Sequence, residues 1–217
     1  MPEPDRSPAW QAEPLPRGRH KLSADEVRDS QRERLLRAML ECVSESSYAE
    51  ATVPALVRRA RVSRTVFYRF FEDKEQCFLT LCDELGDELY ADLVRTPARV
   101  EGGFSAVLDD GMERYLRWWS DRPAVARAWL LELPAAGSRA AEQRRRQLAR
   151  FEQLLAALAA LAREDGAARD DLDPMAPRLL ALGITELVAS EVRDGRVGEL
   201  AALRPSLVAL ATRLLVT

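Results

Sequence analysis

Apolar residues recur along most of the chain at intervals of three and four positions, the period of one face of an α-helix. No Val- or Ile-rich alternating run with hairpin turns occurs, so we expect an all-α fold. The pattern predicts a helix that ends near Ser46, two short helices within 52–71 and a long helix from Asp73. The helices predicted beyond these cover residues 104–120, 123–133, 138–164, 174–194 and about 200–214.

The first helix has two candidate beginnings. Ser23 with Glu26 and Ser30 with Glu33 both have the spacing of a capping box. A short helix therefore precedes the main one, or a single helix bends near Ser30. The apolar face of the main helix is predicted to cover the two short helices that follow, through Leu35, Leu36, Met39 and Val43.

The stretch 52–71 reads as two short helices joined by a tight turn. Thr52 can cap the first helix, and Pro54 lies in its first turn, where the missing N–H costs nothing. Ser63 can cap the second helix, whose inner face is formed by Phe67 and Phe71. This is the plan of a helix-turn-helix, in which the second helix presents its first residues to base edges in the major groove.

Charge makes the same stretch unusual. Residues 51–70 contain five arginines and neither Asp nor Glu, although the whole chain has a formal net charge of −3. A basic helix pair with aromatic residues inside it favours a polyanionic partner. The simpler interpretation is a solvated arginine face on an ordinary helical hairpin, but capping, turn spacing and aromatic placement all favour the first.

Residues 62–75, VSRTVFYRFFEDKE, resemble the signature of TetR-family regulators, which typically read V-S-x-G-T-x-Y-x-H-F and then K-E. Arg61 stands where the family usually has Gly, Thr65 and Val66 replace the usual Gly-Thr, and Phe70 replaces a His that often touches phosphate. The operator sequence therefore cannot be inferred from that of another family member. The positions that match are Thr52, Ala60, Val62, Ser63, Phe67, Tyr68, Phe71, Lys74 and Glu75.

The predicted interface with double-stranded DNA divides into base and phosphate contacts. Arg64 and Thr65 are the expected base readers, since arginine suits guanine O6 and N7. Lys74 occupies a first helical turn, where the helix dipole disfavours a lysine; a phosphate partner would remove that conflict, and the resemblance implies such a contact. The remaining predicted DNA-binding residues are Thr52, Arg61, Ser63, Tyr68, Arg69, Arg17 and Arg19.

Three parts of the chain are expected. Residues 1–22 contain five prolines before residue 17 and are predicted to be a disordered arm. The basic patch of this arm is either a solvated tail or a contact to phosphate or the minor groove. Residues 23–72 form the three-helix DNA-binding domain, and residues 73–217 form a helical domain for effector binding and dimerisation.

Three of the four tryptophans lie between residues 118 and 129. They indicate either a filled aromatic core or a ligand cavity. The resemblance favours the ligand cavity, because TetR-family proteins usually bind a small effector in this part of the chain. The predicted lining residues are Phe104, Leu108, Met112, Tyr115, Trp118, Trp119, Trp129 and Glu132.

The last two helices are strongly apolar. They either close the core of the monomer or form half of an intermolecular four-helix bundle. Similarity to TetR proteins favours the homodimer. The predicted interface residues are Leu180, Ile184, Leu187, Leu203, Leu207, Leu210 and Leu214.

Composition argues against several other classes of function. The single histidine, His20, lies in the predicted arm, which argues against most hydrolytic triads and zinc sites. The longest apolar run, residues 154–162, is too short to span a bilayer, so we expect a cytoplasmic protein without a cofactor.

The sequence therefore predicts a transcriptional regulator, a ligand-responsive repressor that binds a palindromic operator as a homodimer. The alternative is a helical small-molecule binding or carrier protein without specific DNA binding. An enzyme acting in the Trp-rich region is not expected, since that region has no histidine and the chain has no phosphate loop.

Overall fold

The structure is a computed structural model that describes residues 23–95, 102–167 and 173–216. These residues form helices and no strand, which confirms the all-α prediction. A π-helical segment (Arg127–Glu132) and a 3-10 segment (Leu133–Ala135) follow α6, and a second 3-10 segment (Val197–Leu203) precedes α9. The α-helices are α1 (Ala24–Glu45), α2 (Val53–Ala60), α3 (Arg64–Phe70), α4 (Lys74–Leu93), α5 (Gly103–Ser120), α6 (Pro123–Ala126), α7 (Ser138–Glu164), α8 (Ala176–Arg193) and α9 (Arg204–Val216).

Helix α1 is continuous and starts at the first of the two candidate caps. The Ser23 hydroxyl accepts from the Glu26 amide at 3.1 Å, and the Ser23 amide donates to the Glu26 carboxylate at 2.7 Å. Ser30 lies inside the helix and begins no second one. Of the two candidate capping boxes, only the one at Ser23 starts a helix, and it is followed by an acidic first turn that the helix dipole favours.

The described chain divides into two compact units, with the division inside α4 between Glu84 and Leu85. The first unit holds α1, α2, α3 and the N-terminal half of α4. Its core contains the predicted apolar face of α1, together with side chains from the other three helices. The fully or almost fully buried members include Leu35, Leu36, Met39, Val43, Leu56, Phe67, Phe71 and Phe78.

The second unit holds the C-terminal half of α4 and helices α5 to α9. Helix α7 packs against α5 and α8, and α9 packs against α5, α7 and α8. At the start of α5, the Asp165 carboxylate beyond the end of α7 accepts from the Phe104 amide at 2.7 Å. Gly103, with φ of 59°, leaves room for that carboxylate, since a Cβ there would lie 2.4 Å from its Oδ2 atom.

The region predicted as one helix over 123–133 has three parts. Helix α6 widens into the π segment and then tightens into a 3-10 turn containing Pro134. Proline has no N–H to donate, so regular α-helical bonding cannot continue through it. The π segment buries Ala128, Trp129 and Leu130. Within the described ranges, no helix is long and apolar enough to cross a membrane.

Candidate functional site

Two short helices and a tight turn build the predicted DNA-contacting element. The Thr52 hydroxyl caps α2 by accepting from the Ala55 amide at 3.3 Å, and the Ser63 hydroxyl caps α3 by accepting from Val66 at 3.2 Å. The Arg34 guanidinium of α1 donates to the Ala60 carbonyl at the end of α2, at 3.2 Å. Three of the four helix ends in this element are thus held by a side chain of the same unit.

The inner side of α3 is aromatic. Phe67 is fully buried, Phe71 is nearly so, and their ring centroids lie 5.7 Å apart. Phe67 also meets the ring of Tyr68 edge-on at 5.3 Å, although half of Tyr68 is exposed. Packing by these phenylalanines fixes which side of α3 faces outward.

That outward side is the recognition surface, defined by Arg64, Thr65, Tyr68 and Arg69, all exposed. The Arg64 guanidinium lies 5.9 Å from the centroid of the Tyr68 ring. Arg59 of α2 differs from these residues because it pairs with Glu45 at 2.5 Å and with Glu41 at 3.7 Å. One of the five arginines counted in the sequence is therefore neutralised within its own unit.

The turn between α2 and α3 contains an unusual backbone conformation. Arg61 has φ of 54° and ψ of 46°, the left-handed region that glycine adopts most easily. The Val62 amide donates to the Val57 carbonyl at 3.1 Å, which closes the end of α2. The turn thus keeps the geometry for which the family uses glycine, with an exposed arginine in its place.

Replacing Arg61 by glycine should raise the free energy of unfolding by about 0.5–1 kcal/mol, because glycine removes the strain of a left-handed side-chain-bearing residue. The same change should weaken DNA binding if the Arg61 guanidinium contacts phosphate. Urea unfolding and DNA titration measure the two effects. The control is Arg58→Gly in the last turn of α2, expected to cost about 1 kcal/mol. Equal destabilisation by both variants would contradict the strained-turn interpretation.

Lys74, at the start of α4, has a different environment from the one predicted. Its ammonium donates to the carbonyls of Tyr48, Ala49 and Ala51 at 3.0, 3.1 and 2.9 Å. It also lies 4.6 Å from the centroid of the Tyr48 ring, which stacks on Phe78 at 4.7 Å. An ammonium has three N–H groups, and all three are used here within the chain. The predicted phosphate contact therefore needs correction, since carbonyl oxygens already resolve the conflict with the helix dipole.

Arg17 and Arg19 lie outside the described residues. The other predicted DNA-contacting side chains lie in the first unit, within or directly beside its two short helices. Residues 35–81 match the sequence profile described as bacterial regulatory proteins of the tetR family. The chain carries the DNA-binding domain of the tetR family. It is a DNA-binding transcriptional regulator, and regulators of this family are transcription factors, not enzymes.

Solved structures with the same fold cover nearly the whole molecule. FadR from Bacillus subtilis, crystallised with stearoyl-CoA, is 17% identical with a TM-score of 0.74, covering 82% of this chain and 96% of that chain. FadR from Bacillus halodurans is 18% identical with a TM-score of 0.76, covering 84% and 94%. GusR from Salmonella enterica is 24% identical with a TM-score of 0.72, covering 90% and 99%. No curated protein matches the sequence significantly.

In the second unit, a cavity of about 250 Å³ lies mainly between α5 and α7. Its wall is almost wholly apolar. Gly111 of α5 contributes to the space, since a Cβ there would meet nothing within 4 Å. This larger cavity is lined by Leu93, Val94, Val107, Leu108, Gly111, Met112, Tyr115, Phe151, Leu154, Leu155, Ala157, Leu158 and Leu161.

A smaller cavity of about 30 Å³ adjoins the larger one. Four residues line both, namely Leu93, Tyr115, Phe151 and Leu154. More of its lining residues carry a polar group, but the surface that faces the space is almost wholly apolar. The other lining residues are Gly86, Leu89, Tyr90, Trp119, Trp129, Gln147, Leu148, Arg150 and Thr185.

Some of the predicted ligand-binding residues line the larger cavity, some line the smaller cavity, and others line neither. Leu108, Met112 and Tyr115 line the larger cavity, whereas Trp119 and Trp129 line only the smaller one. Three of the predicted residues line neither of these two cavities. These are Phe104 near the start of α5, Trp118 beneath the Arg122 guanidinium, and Glu132, which pairs with Arg127 at 3.3 Å.

The structure contains both a packed aromatic core and a cavity, the two features that the tryptophans indicated as alternatives. The ring centroids of Trp118 and Trp119 lie 4.6 Å apart, and those of Trp119 and Trp129 lie 5.4 Å apart, so these rings mainly fill a core. The larger open space lies beside this core, against α7. The contribution of α7 to this space was not predicted from the sequence.

The predicted dimer residues also divide by burial. Leu180, Ile184 and Leu207 are at most 5% exposed, so they belong to the core of their own unit and the prediction needs correction there. Leu203 is half-buried. Leu187, Leu210 and Leu214 are exposed, and they are joined by three residues that the prediction omitted, Met175, Leu179 and Leu182.

Proposed function

We propose that this TetR-family regulator is a ligand-responsive repressor that binds a palindromic operator as a homodimer. Residues 23–72 would bind DNA, and residues 73–217 would bind the effector and dimerise. The observation that carries the proposal is the exposed recognition surface on a helix whose inner side is locked by Phe67. Such a regulator works beside DNA in the cytoplasm, and the carrier-protein alternative is set aside with the family assignment.

Arg64 and Thr65 are the proposed base readers. They occupy the first turn of α3, just after the Ser63 cap, and both are exposed. The N-terminal residues of a recognition helix are those that reach base edges in the major groove. Tyr68 and Arg69, one turn further on, and the caps Thr52 and Ser63 are proposed to contact phosphates, together with Arg61 in the turn.

Arginine variants separate the two kinds of contact. Arg64→Ala should cost roughly 1–3 kcal/mol and relax specificity at one position of each half-site. Arg69→Ala should weaken all DNA sequences about equally and lower the salt slope by about one unit per half-site. The measurement is selection of bound genomic fragments by the purified protein, followed by titration of the recovered operator at several salt concentrations. Uniform weakening by Arg64→Ala would make Arg64 a phosphate contact instead.

The homodimer is supported by an exposed apolar face on α8 and α9, which we call the α8–α9 face. Six of the nine large hydrophobic residues that are exposed in the described chain belong to it, so they are concentrated and not scattered. A patch of this kind marks an interaction surface. The six are Met175, Leu179, Leu182, Leu187, Leu210 and Leu214.

Gly183 lies within this face and adds a second argument. Glycine inside a helix is about 1 kcal/mol less favourable than alanine, and a Cβ at Gly183 would meet no atom of the described residues within 4 Å. Close approach of a helix from a second copy would require that Gly183 has no side chain. Two copies of α8 and α9 then form a four-helix bundle and place two recognition helices about 34–36 Å apart, or slightly more.

The larger cavity is the proposed effector site. Its lining is apolar and its volume of about 250 Å³ accommodates a small molecule. The ligand of the Bacillus subtilis FadR structure, stearoyl-CoA, shows that a protein of this fold can bind a molecule with a long hydrocarbon chain. We therefore expect the effector of this chain to be largely apolar.

Helix α4 is the proposed route of the signal. It starts at Lys74, and its C-terminal half lines both cavities through Leu93. In the second unit, Asp87 pairs with Arg150 of α7 at 2.5 Å and Glu88 with Arg122 at 3.4 Å. An effector that displaces α4 would change the separation of the recognition helices. It must bind the non-operator geometry better, because equal affinity for both geometries shifts nothing.

A further inference from the structure

The side chains around the larger cavity leave a ligand without a hydrogen-bond partner. Of the thirteen lining residues, only Tyr115 has an oxygen or nitrogen atom in its side chain. The Tyr115 hydroxyl is already hydrogen-bonded to Thr185 of α8, which does not line this cavity. Burial raises the pKa of Tyr115 to about 12, so the phenol is also uncharged at neutral pH. The lining side chains therefore present hydrocarbon to the space.

Backbone groups do not supply the missing partners. The lining residues of α5 and α7 fall within 107–115 and 151–161, in the interior of both helices. Backbone N–H and C=O groups in the interior of an α-helix bond to the neighbouring turns of the same helix. At the end of α4, the Val94 amide donates to the Tyr90 carbonyl at 3.0 Å. A polar group of a ligand would thus lose its bonds to water and gain none from these residues.

Counter-charge for an ionic ligand is also taken up. Three arginines of the described chain directly precede or follow a lining residue in sequence, and each pairs with an aspartate. An anionic head group would have to compete with these carboxylates for a guanidinium. The pairs are Arg95 with Asp92 at 3.6 Å, Arg114 with Asp110 at 2.9 Å and Arg150 with Asp87 at 2.5 Å.

Size limits the ligand. An engineered apolar cavity of about 150 Å³ stays dry and binds benzene. By proportion, the larger cavity of about 250 Å³ holds about ten carbon atoms. Gly111 contributes to this room, since a Cβ there would meet nothing within 4 Å.

An unfilled apolar space of this size destabilises a protein. Its lining atoms lack the van der Waals contacts that they would make in a filled core. Water restores few of these contacts, because it would have to give up hydrogen bonds beside an apolar wall. A hydrocarbon restores them without giving up any hydrogen bond, so the wall of the larger cavity favours a ligand of that kind.

We infer that the larger cavity binds a neutral hydrocarbon of about ten carbons, of the size and polarity of a fused bicyclic aromatic. Fatty acids and acyl thioesters are then excluded as effectors, unlike the stearoyl-CoA bound in the Bacillus subtilis FadR structure. That this hydrocarbon is the effector rests on the proposed function, whereas its binding to the cavity does not.

Calorimetric titration of the full chain with three probes tests the ligand class. Naphthalene is the neutral ten-carbon probe, 2-naphthoate adds a carboxylate to the same rings, and decanoate has its carboxylate on a linear chain. We expect naphthalene to bind with a negative change in heat capacity, the mark of buried apolar surface. Both carboxylates should bind at least about 50-fold more weakly, because a charge without a partner is costly beside an apolar wall.

Filling the cavity should remove the binding. Gly111→Leu places a side chain in the space and should weaken naphthalene at least about 20-fold. Ser105→Leu is the matched control, since it adds the same side chain to an exposed position of α5 outside the lining and should leave the affinity within twofold. A folded Gly111→Leu variant that binds naphthalene as the wild type does would place the probe elsewhere and overturn the assignment.

A charge introduced into the wall should change the preference. Leu158 lines the cavity and is half-buried, so Leu158→Lys can keep its stem along the wall and present an ammonium to the ligand. This variant should bind 2-naphthoate at least about tenfold more tightly than the wild type and naphthalene more weakly. It keeps the test decisive if Gly111→Leu does not fold. Carboxylate binding by the wild type as tight as that of naphthalene contradicts the neutral class.

Operator release is measured separately, so that the two proposals fail in different ways. Naphthalene that binds with the expected dependence on Gly111 but leaves the operator complex intact supports the hydrocarbon site and overturns its role as an effector site. Absence of naphthalene binding to a dimer that still binds operator overturns the hydrocarbon site and leaves the regulator unaffected.

Discussion

Replacing both Leu179 and Leu210 by aspartate should give a folded monomer that has lost tight operator binding. The two side chains are 57% and 51% exposed in the single chain, so the change should cost that chain little, within about 0.5 kcal/mol per site. In the proposed dimer the same carboxylates would be buried against apolar side chains, which costs several kcal/mol. A monomer engages one half-site at a time, so operator affinity should fall roughly 10²- to 10⁴-fold.

Sedimentation equilibrium and operator titration measure the two effects. Leu179→Met combined with Leu210→Met is the matched control, since methionine keeps the apolar area and should leave both dimer and affinity intact. A double aspartate variant that stays dimeric would place the interface elsewhere. A wild-type protein that is monomeric at micromolar concentration and still binds operator tightly would remove the dimer from the proposed mechanism.

Replacing Lys74 by methionine should lower the free energy of unfolding by about 2–3 kcal/mol. Methionine keeps most of the apolar stem but cannot donate to the carbonyls of Tyr48, Ala49 and Ala51. Those carbonyls belong to the segment between α1 and α2, directly before the Thr52 cap, so the cost falls on the DNA-binding element itself. Urea unfolding followed by circular dichroism measures the change.

Salt dependence distinguishes this role from the phosphate contact first predicted for Lys74. The folded fraction of Lys74→Met should show the same salt slope for DNA binding as the wild type. Arg69→Ala is the opposite control, because an exposed arginine should leave stability unchanged and lower the slope by about one unit per half-site. A flattened slope with full stability in Lys74→Met would restore the phosphate assignment.

Local signals predicted most of the helix ends. Side-chain caps and prolines act within one turn of the chain, so Ser23, Thr52 and Ser63 could be assigned from sequence alone, and the structure confirms each. Helix α7 has the predicted bounds because Gly137 before it breaks the pattern. The turn position where the family usually has glycine has a positive φ, although Arg61 occupies it.

Which side of an apolar helix faces outward could not be predicted in the same way. Helix α8 has leucines on more than one side, so periodicity could not separate the buried Leu180 from the exposed Leu179. The outcome depends on where α7 and α9 pack, which is a property of distant parts of the chain. For the same reason the contribution of α7 to the larger cavity was not foreseen.

The contacts of Lys74 could not be predicted from the sequence, for a third reason. Its conflict with the helix dipole was visible in the sequence, but the groups that resolve it lie more than twenty residues earlier and are backbone carbonyls. Carbonyl positions carry no residue-type signal. A partner of this kind can be found only once the segment between α1 and α2 has been placed in space.

The buried thiols have a practical consequence for spectroscopy. Cys42, Cys77 and Cys82 are all buried, and burial raises the pKa of each, which leaves them poor nucleophiles at neutral pH. A cysteine introduced at an exposed position of α3 would therefore be the preferred site of attachment for a spin label. In a dimer, two such labels act as a ruler across the recognition helices, so their distance distribution can be recorded with and without ligand on an otherwise native chain.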